Sequence, residues 1–285
     1  MTLVALSLVL TSAFLHAGWN FFAKRAGGGV VFTWLFAALT ALIYAPVGLF
    51  HWYWQEVSLD PLSLLFIIGS AVIHVVYFLT LQRGYRTGDL SLVYPLARGS
   101  GPMLATIGAV TLLGERPSAL ALSGTLLIVV SVFVLTGGQQ MFKVGQRRTV
   151  LYGLATGVCI ATYTLWDGYA VSRLSVPPLI FMWLSECFRA LILTPSVVRN
   201  PEKVRLEWQT HKTEALIIAV FSPLAYILVL TALTFTPVSY VAPAREISIL
   251  IGALLGARLL AEEDAQRRLL AASGMVVGVI FLALG

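Results

Sequence analysis

The sequence predicts an all-α integral membrane protein, with ten transmembrane helices in two inverted five-helix repeats. Three observations predict it. Hydrophobic residues make up 58% of the chain and charged residues only 11%, against about 25% charged in soluble domains, and the mean hydropathy is +0.87. The apolar residues fall into ten runs of bilayer-spanning length. The second half then repeats landmarks of the first at one fixed offset.

The runs lie at 3–22, 30–52, 62–81, 89–113, 118–137, 150–171, 177–198, 214–234, 238–260 and 268–285. A helix needs about 20 apolar residues to cross the hydrocarbon core. Barrel strands would be about half as long and would alternate in polarity, whereas these runs are continuously apolar. The first run has no Lys or Arg before it and has Lys24 and Arg25 after it, the reverse of a cleaved signal peptide. The longest polar stretch, Arg199 to Glu214, is expected to be a short loop on the membrane surface. Cys159 and Cys187 both lie inside apolar runs and suit packing rather than a disulfide or a metal site.

Lys and Arg in the connections set the orientation. Those after runs one, three, five, seven and nine hold thirteen (Lys24, Arg25, Arg83, Arg86, Lys143, Arg147, Arg148, Arg199, Lys203, Arg205, Lys212, Arg267 and Arg268). The alternate connections hold two, Arg116 and Arg173. The positive-inside rule puts the first set in the cytoplasm and both termini outside. The net charge of +6 therefore reads as orientation, not as a nucleic-acid footprint.

Displaced by 147 positions, Arg98 falls on Arg245, Glu115 on Glu262, Trp19 on Trp166, Asn20 on Asp167 and the pair Leu112–Leu113 on Leu259–Leu260. Gly101, Ala105 and Ala109 fall on Ser248, Gly252 and Gly256, small residues at four-residue spacing that let helix backbones approach. Each repeat holds five helices, an odd number, so the second copy enters the membrane from the opposite side. The alternation of basic connections agrees. The halves divide as residues 1–140 and 141–285. Inverted repeats let one central site open to either face in turn.

The ionisable residues well inside the runs are the candidates for function: Arg98, Asp167, Glu186, Arg189, Arg245 and Glu246. Three are basic and three acidic, so one reading has them neutralise one another and fix helix register. Glu186 and Arg189 are three apart and can pair on one helix. In the other reading Arg98 and Arg245 wall a cavity, where forked guanidinium donors suit carboxylate or phosphate oxygens and anionic or zwitterionic metabolites are natural ligands. Asp167, in the slot that holds Asn20 in the first half, breaks the symmetry and is a coupling candidate. Glu186, His16 and His74 are the others, histidine because it titrates near neutrality. Trp19, Asn20, His74, Tyr77, Tyr94, Trp166, Asp167 and Tyr226 complete the substrate-binding candidates. Pro95, Pro223 and Pro243 are expected to interrupt their helices, since proline removes a backbone bond.

"HAGWNFFAKR" (His16 to Arg25), "GDLSLVYPLARGSGP" (Gly88 to Pro102) with "LLGER", and "FTPVSYVAPAREISILIGALLGARLLAEE" (Phe235 to Glu263) resemble the paired repeats of the EamA family of the drug/metabolite transporter superfamily. The resemblance spans essentially the whole chain. It implies a cavity lined by the first, third and fourth helices of each half, alternating access, and export. Many members are thought to keep both termini in the cytoplasm; the charge count here puts them outside. No HExxH, CxxC or Gly-rich phosphate loop occurs, so no enzyme, metal or cofactor is expected. The expected function is secondary active transport of amino acids, organic acids or related metabolites across the inner (cytoplasmic) membrane. The alternatives are a lipid-headgroup flippase, a drug exporter or, further off, an intramembrane enzyme. Expected partners are the small-molecule substrate, the lipid bilayer and a coupling ion such as H+, without nucleic acid, for a monomer or a homodimer.

The orientation is checked by cysteine labelling in intact cells. A cysteine placed at Gly285 should react without permeabilisation, and one at Arg148 only after it. The opposite pattern reverses the orientation while leaving the inverted repeat intact.

Overall fold

The computed structural model describes residues 1–26, 28–87, 90–135, 147–251 and 265–285. Among these residues the main helices are α1 (Leu3–Arg25), α2 (Val30–Trp54), α3 (Pro61–Thr87), α4 (Leu90–Leu112), α5 (Ala119–Leu135), α6 (Arg147–Ser172), α7 (Pro178–Val198), α8 (Pro201–Leu233), α9 (Val238–Ala244) and α10 (Ala265–Leu284). No strand occurs among the described residues. Helices suit this composition because hydrocarbon offers a backbone no hydrogen-bond partner, so each segment must satisfy its own. Six of the helices are long and apolar enough to cross a bilayer. The expected boundary at 140/141 lies outside the described residues, as do Gly252, Gly256, Leu259, Leu260 and Glu262.

The helix pairs carry the inverted repeat. α1 packs on α8 and α6 on α3; α2 packs on α8 and α7 on α3. α2 also meets α7, α4 meets α9, and α5 meets α10. Exchanging every helix with the one five places along maps these pairs onto themselves, which is what a two-fold relation between the halves requires. Small residues permit the tightest approaches. A Cβ on Gly124 of α5 would lie 2.6 Å from the Gly278 carbonyl oxygen of α10, and a Cβ on Gly101 of α4 would lie 2.7 Å from Ile160 of α6. Ala105 and Ala109 continue the α4 stripe, fully buried.

Several ends are fixed by side chains. Ser63 N–H donates to Asp60 Oδ1 at 3.0 Å, capping α3, and hydrogen bonds from Ser63 hold the Asp60 carboxyl below the usual carboxylate range. After α4, Gly114 takes φ +68°, a conformation glycine adopts without a steric penalty. That turn delivers Glu115 to the other half of the molecule. Glu115 Oε1 accepts from Val238 N–H at 2.7 Å and Oε2 from Ser239 N–H at 2.9 Å, satisfying two orphan donors at the start of α9. At the same end of the molecule the Met1 ammonium donates to the Ala283 carbonyl at 3.1 Å.

Two expectations need correction. The stretch from Arg199 to Glu214 is not a loop: α8 begins at Pro201 and bends at His211, whose φ of −128° leaves the helical region. Pro201 in the first turn and Glu202 beside it are strong helix starters, and they outweigh the polarity of the segment. The prolines also act unevenly. α4 continues past Pro95 and α8 past Pro223, whereas α9 stops one residue after Pro243, and a helical turn resumes only over 247–251. Arg245 and Glu246 form the break. Short-range bonds bridge it, from Glu246 N–H to Pro243 O at 3.1 Å and from Ser248 N–H to Arg245 O at 3.1 Å.

Candidate functional site

A cavity of about 710 Å³ runs from the α1–α2 turn at Gly28 and Gly29 into the centre of the bundle, where Arg98 and Arg245 line it. The volume lies in the range of small-molecule sites, about 300–1,000 Å³. Beyond the arginines, a crevice between Ser12, Ala13, His16 and Ser248 has no room for a water molecule. The cavity thus reaches one end of the bundle and stops short of the end held by Glu115.

The two repeat-related arginines occupy different surroundings. Arg98, on the unbroken α4, is buried. One guanidinium nitrogen lies 2.9 Å from His16 Nε2, and its Nε lies 3.5 Å from Glu246 Oε2. A guanidinium can only donate, so His16 Nε2 is the acceptor and the ring's proton sits on Nδ1. Glu246 Oε2 accepts no hydrogen bond among the described residues, so the contact is an ion pair rather than a bonded fork. The Arg98–Glu246 pair joins α4 to the break in α9, and the contact with His16 brings in α1. Arg245, at the same break, is half-buried. Its guanidinium carbon lies 5.7 Å from the Tyr226 ring centre, a cation–π distance, and among the described residues no carboxylate lies within ion-pair reach of it.

Tyr226 has a second partner. Its hydroxyl donates to Asp167 Oδ2. Asp167 is fully buried behind it, does not line the cavity, and has no hydrogen-bond partner for Oδ1 among the described residues. His74 stacks on Tyr163 with ring centres 4.4 Å apart and meets Tyr226 edge-on at 5.7 Å. Its Nδ1 lies 2.9 Å from the Ser70 carbonyl; a carbonyl only accepts, so Nδ1 carries the hydrogen. Across the cavity, Glu186 and Arg189 form a forked pair, with Nε donating to Oε2 at 3.0 Å and a second nitrogen to Oε1. Arg189 also lies over Phe36 at 5.5 Å.

The other candidates divide. Trp19, Asn20 and Tyr77 line the cavity. The Trp19 indole N–H is buried without a hydrogen-bond partner among the described residues, and Asn20 donates to the His16 carbonyl at 2.7 Å. Trp166 lies elsewhere: its N–H donates to the Phe66 carbonyl at 2.8 Å and its ring stacks on Phe66, which locks α3 to α6. The Tyr94 side chain lies outside the described residues. The expectation of a wall from the first, third and fourth helices of each half is incomplete, because α2 contributes Phe32 and Phe36, and α7 contributes Met182, Ser185 and the Glu186–Arg189 pair. Ser70, Ser185 and Ser222 also line it, and small hydroxyls inside apolar runs were the overlooked signal.

Residues 3–137 and 147–284 match the EamA-like transporter family. The chain belongs to that family. It is a multi-pass membrane protein and a transporter of small molecules. One solved structure, titled only as a crystal structure of a protein, superposes with a TM-score of 0.74 at 16% identity, covering 98% of this chain and 96% of that one; the likeness is one of fold. No curated protein matches the chain in sequence. Within the EamA fold, the α4–α9 crossing carries the charge arrangement described above.

Arg98→Ala should destabilise the fold, because breaking one side of a buried ion pair costs about 3–5 kcal/mol. Adding Glu246→Gln should recover much of the loss. Thermal unfolding of the detergent-purified variants reads this directly. A stable Arg98→Ala protein, or a double variant no better than the single one, contradicts the pairing.

Proposed function

We propose that this EamA-family protein is a secondary active transporter that moves small anionic or zwitterionic metabolites across the cytoplasmic membrane by alternating access. The observation that carries the reading is Arg245: a cation in the cavity wall with an aromatic ring beneath it and, among the described residues, no carboxylate within ion-pair reach. Its forked donors suit a carboxylate or phosphonate. The aromatic lining from Trp19, Phe32, Phe36 and Tyr77 suits an apolar or planar body on the same molecule. Amino acids and organic acids have this make-up, and a cationic drug does not match the charge that faces the cavity.

The cavity extends towards the connections richest in Lys and Arg, which the positive-inside rule assigns to the cytoplasm. The conformation is then inward-open, with both termini outside. The closed end has the Glu115 bonds to α9, and the inverted repeat supports a second conformation in which the ends exchange roles. Export is the direction that the family resemblance suggests, and a cavity open to the cytoplasm is where an exporter would load.

The test uses proteoliposomes preloaded with labelled tryptophan, benzoate or phenylphosphonate. Wild-type protein should release at least one of them about tenfold faster than Arg245→Ala, about 1.4 kcal/mol in the rate, while Arg245→Ala remains folded. Equal release from the two proteins, or binding of the cationic probe tetraphenylphosphonium in place of all three, contradicts the reading.

A further inference from the structure

Among the described residues, the charges that line the cavity are paired except at Arg245. Arg98 is matched by Glu246 and Arg189 by Glu186. His16 is a neutral acceptor in its contact with Arg98. What remains is Arg245 in the wall and Asp167 behind it, and both touch Tyr226. The ring lies under the guanidinium, and the hydroxyl donates to the carboxylate. The charged and titratable groups that face Asp167 are Tyr226 on α8, Arg245 in the break after α9 and Tyr163 on α6 itself, and Tyr163 in turn faces Arg98 on α4, Glu246 in the break and His74 on α3.

With Asp167 ionised, the remaining pair sums to zero. An anion bound at Arg245 would leave one net negative charge to be carried when the site closes away from water, which is costly. An anion arriving together with a proton restores neutrality. Asp167 is placed to take that proton, because its carboxylate is buried and its Oδ2 already accepts from the Tyr226 hydroxyl. It also has a route, because Tyr226 faces the cavity on one side and Asp167 on the other.

We propose that Asp167 is a proton-binding site linked through Tyr226 to an anion site at Arg245, so that one organic anion crosses with one proton. This rests on the transport reading given above. A hydronium in the cavity gives its proton to the Tyr226 hydroxyl oxygen as that hydroxyl passes its own hydrogen to Asp167 Oδ2. One O–H bond forms and one breaks at Tyr226, and the net change is a carboxylate and a hydronium becoming a carboxylic acid and a water. The step reverses at the other face. Proton and anion then travel as a neutral pair, and the sum of the substrate and proton gradients sets the direction of flux. Linkage makes the effect reciprocal: a proton that strengthens anion binding is itself held more tightly by the anion.

Titration calorimetry of the purified protein with benzoate, phenylphosphonate and tryptophan tests this, between pH 5 and 8 in buffers of different ionisation enthalpy. For at least one anionic probe, affinity should rise by about tenfold per pH unit as pH falls, with close to one proton taken up per anion. Asp167→Asn should hold the acid-limit affinity across the range and take up no proton. In wild-type protein, the infrared difference spectrum on adding the anion should gain a protonated-carboxyl band, a readout that does not depend on the variant folding. Binding that is flat with pH, or proton uptake that survives Asp167→Asn and disappears in His74→Gln, overturns the coupling and leaves the anion site standing. Binding of none of the probes by wild type overturns the anion site and the coupling with it.

Discussion

The contact on which the rest depends is the ion pair between Arg98 and Glu246, 3.5 Å apart at the crossing of α4 and α9. A guanidinium cannot remain in hydrocarbon without a partner, and Arg98 is held by Glu246 and His16. That choice ties three helices together at the blind end of the cavity. It also removes the carboxylate next in sequence to Arg245 from Arg245's own reach, leaving that guanidinium on the Tyr226 ring. A structural tie on one repeat thereby creates an available charge on the other.

Much of the scaffold is legible in the sequence. Each of the ten apolar runs holds a helix among the described residues, because a membrane span must be apolar along its length and close its own hydrogen bonds. The odd number of helices per repeat makes the repeats inverted. The polarity of the Arg199–Glu214 segment reads as a loop, whereas its helix-starting residues govern its backbone. The walls from α2 and α7 were not legible. Phe36 and Ser185 join the cavity through packing between halves, which no local pattern encodes.

The site is legible as a set of residues and not as a set of roles. Arg98 and Arg245 are equivalent by position, and nothing in their own runs says which one is paired. The difference lies one residue further on: Glu246 falls on Gly99 in the first repeat. Only the second repeat has an acid there, and that acid crosses to the arginine of the first. Gly99 could not readily be replaced, since a Cβ on it would lie 2.7 Å from the Phe133 ring. Asp167 in the slot of Asn20 is a second break in symmetry, and the structure gives it context in Tyr226. A two-fold scaffold with one-fold chemistry fits a carrier: the symmetry supplies two equivalent conformations, and the asymmetry supplies one site for them to share.

The central claim is that Arg245, and not Arg98, receives the substrate's anionic group. Crystals grown in lipid mesophase with 4-bromobenzoate test it most directly, because bromine scatters anomalously and marks the ligand's orientation. The account predicts a carboxylate on the Arg245 guanidinium, with the bromine directed towards the aromatic wall of Trp19 and Phe36, and the Arg98–Glu246 pair undisturbed. A carboxylate seated on Arg98 with Glu246 displaced, or on Arg189 with Glu186 displaced, would contradict it.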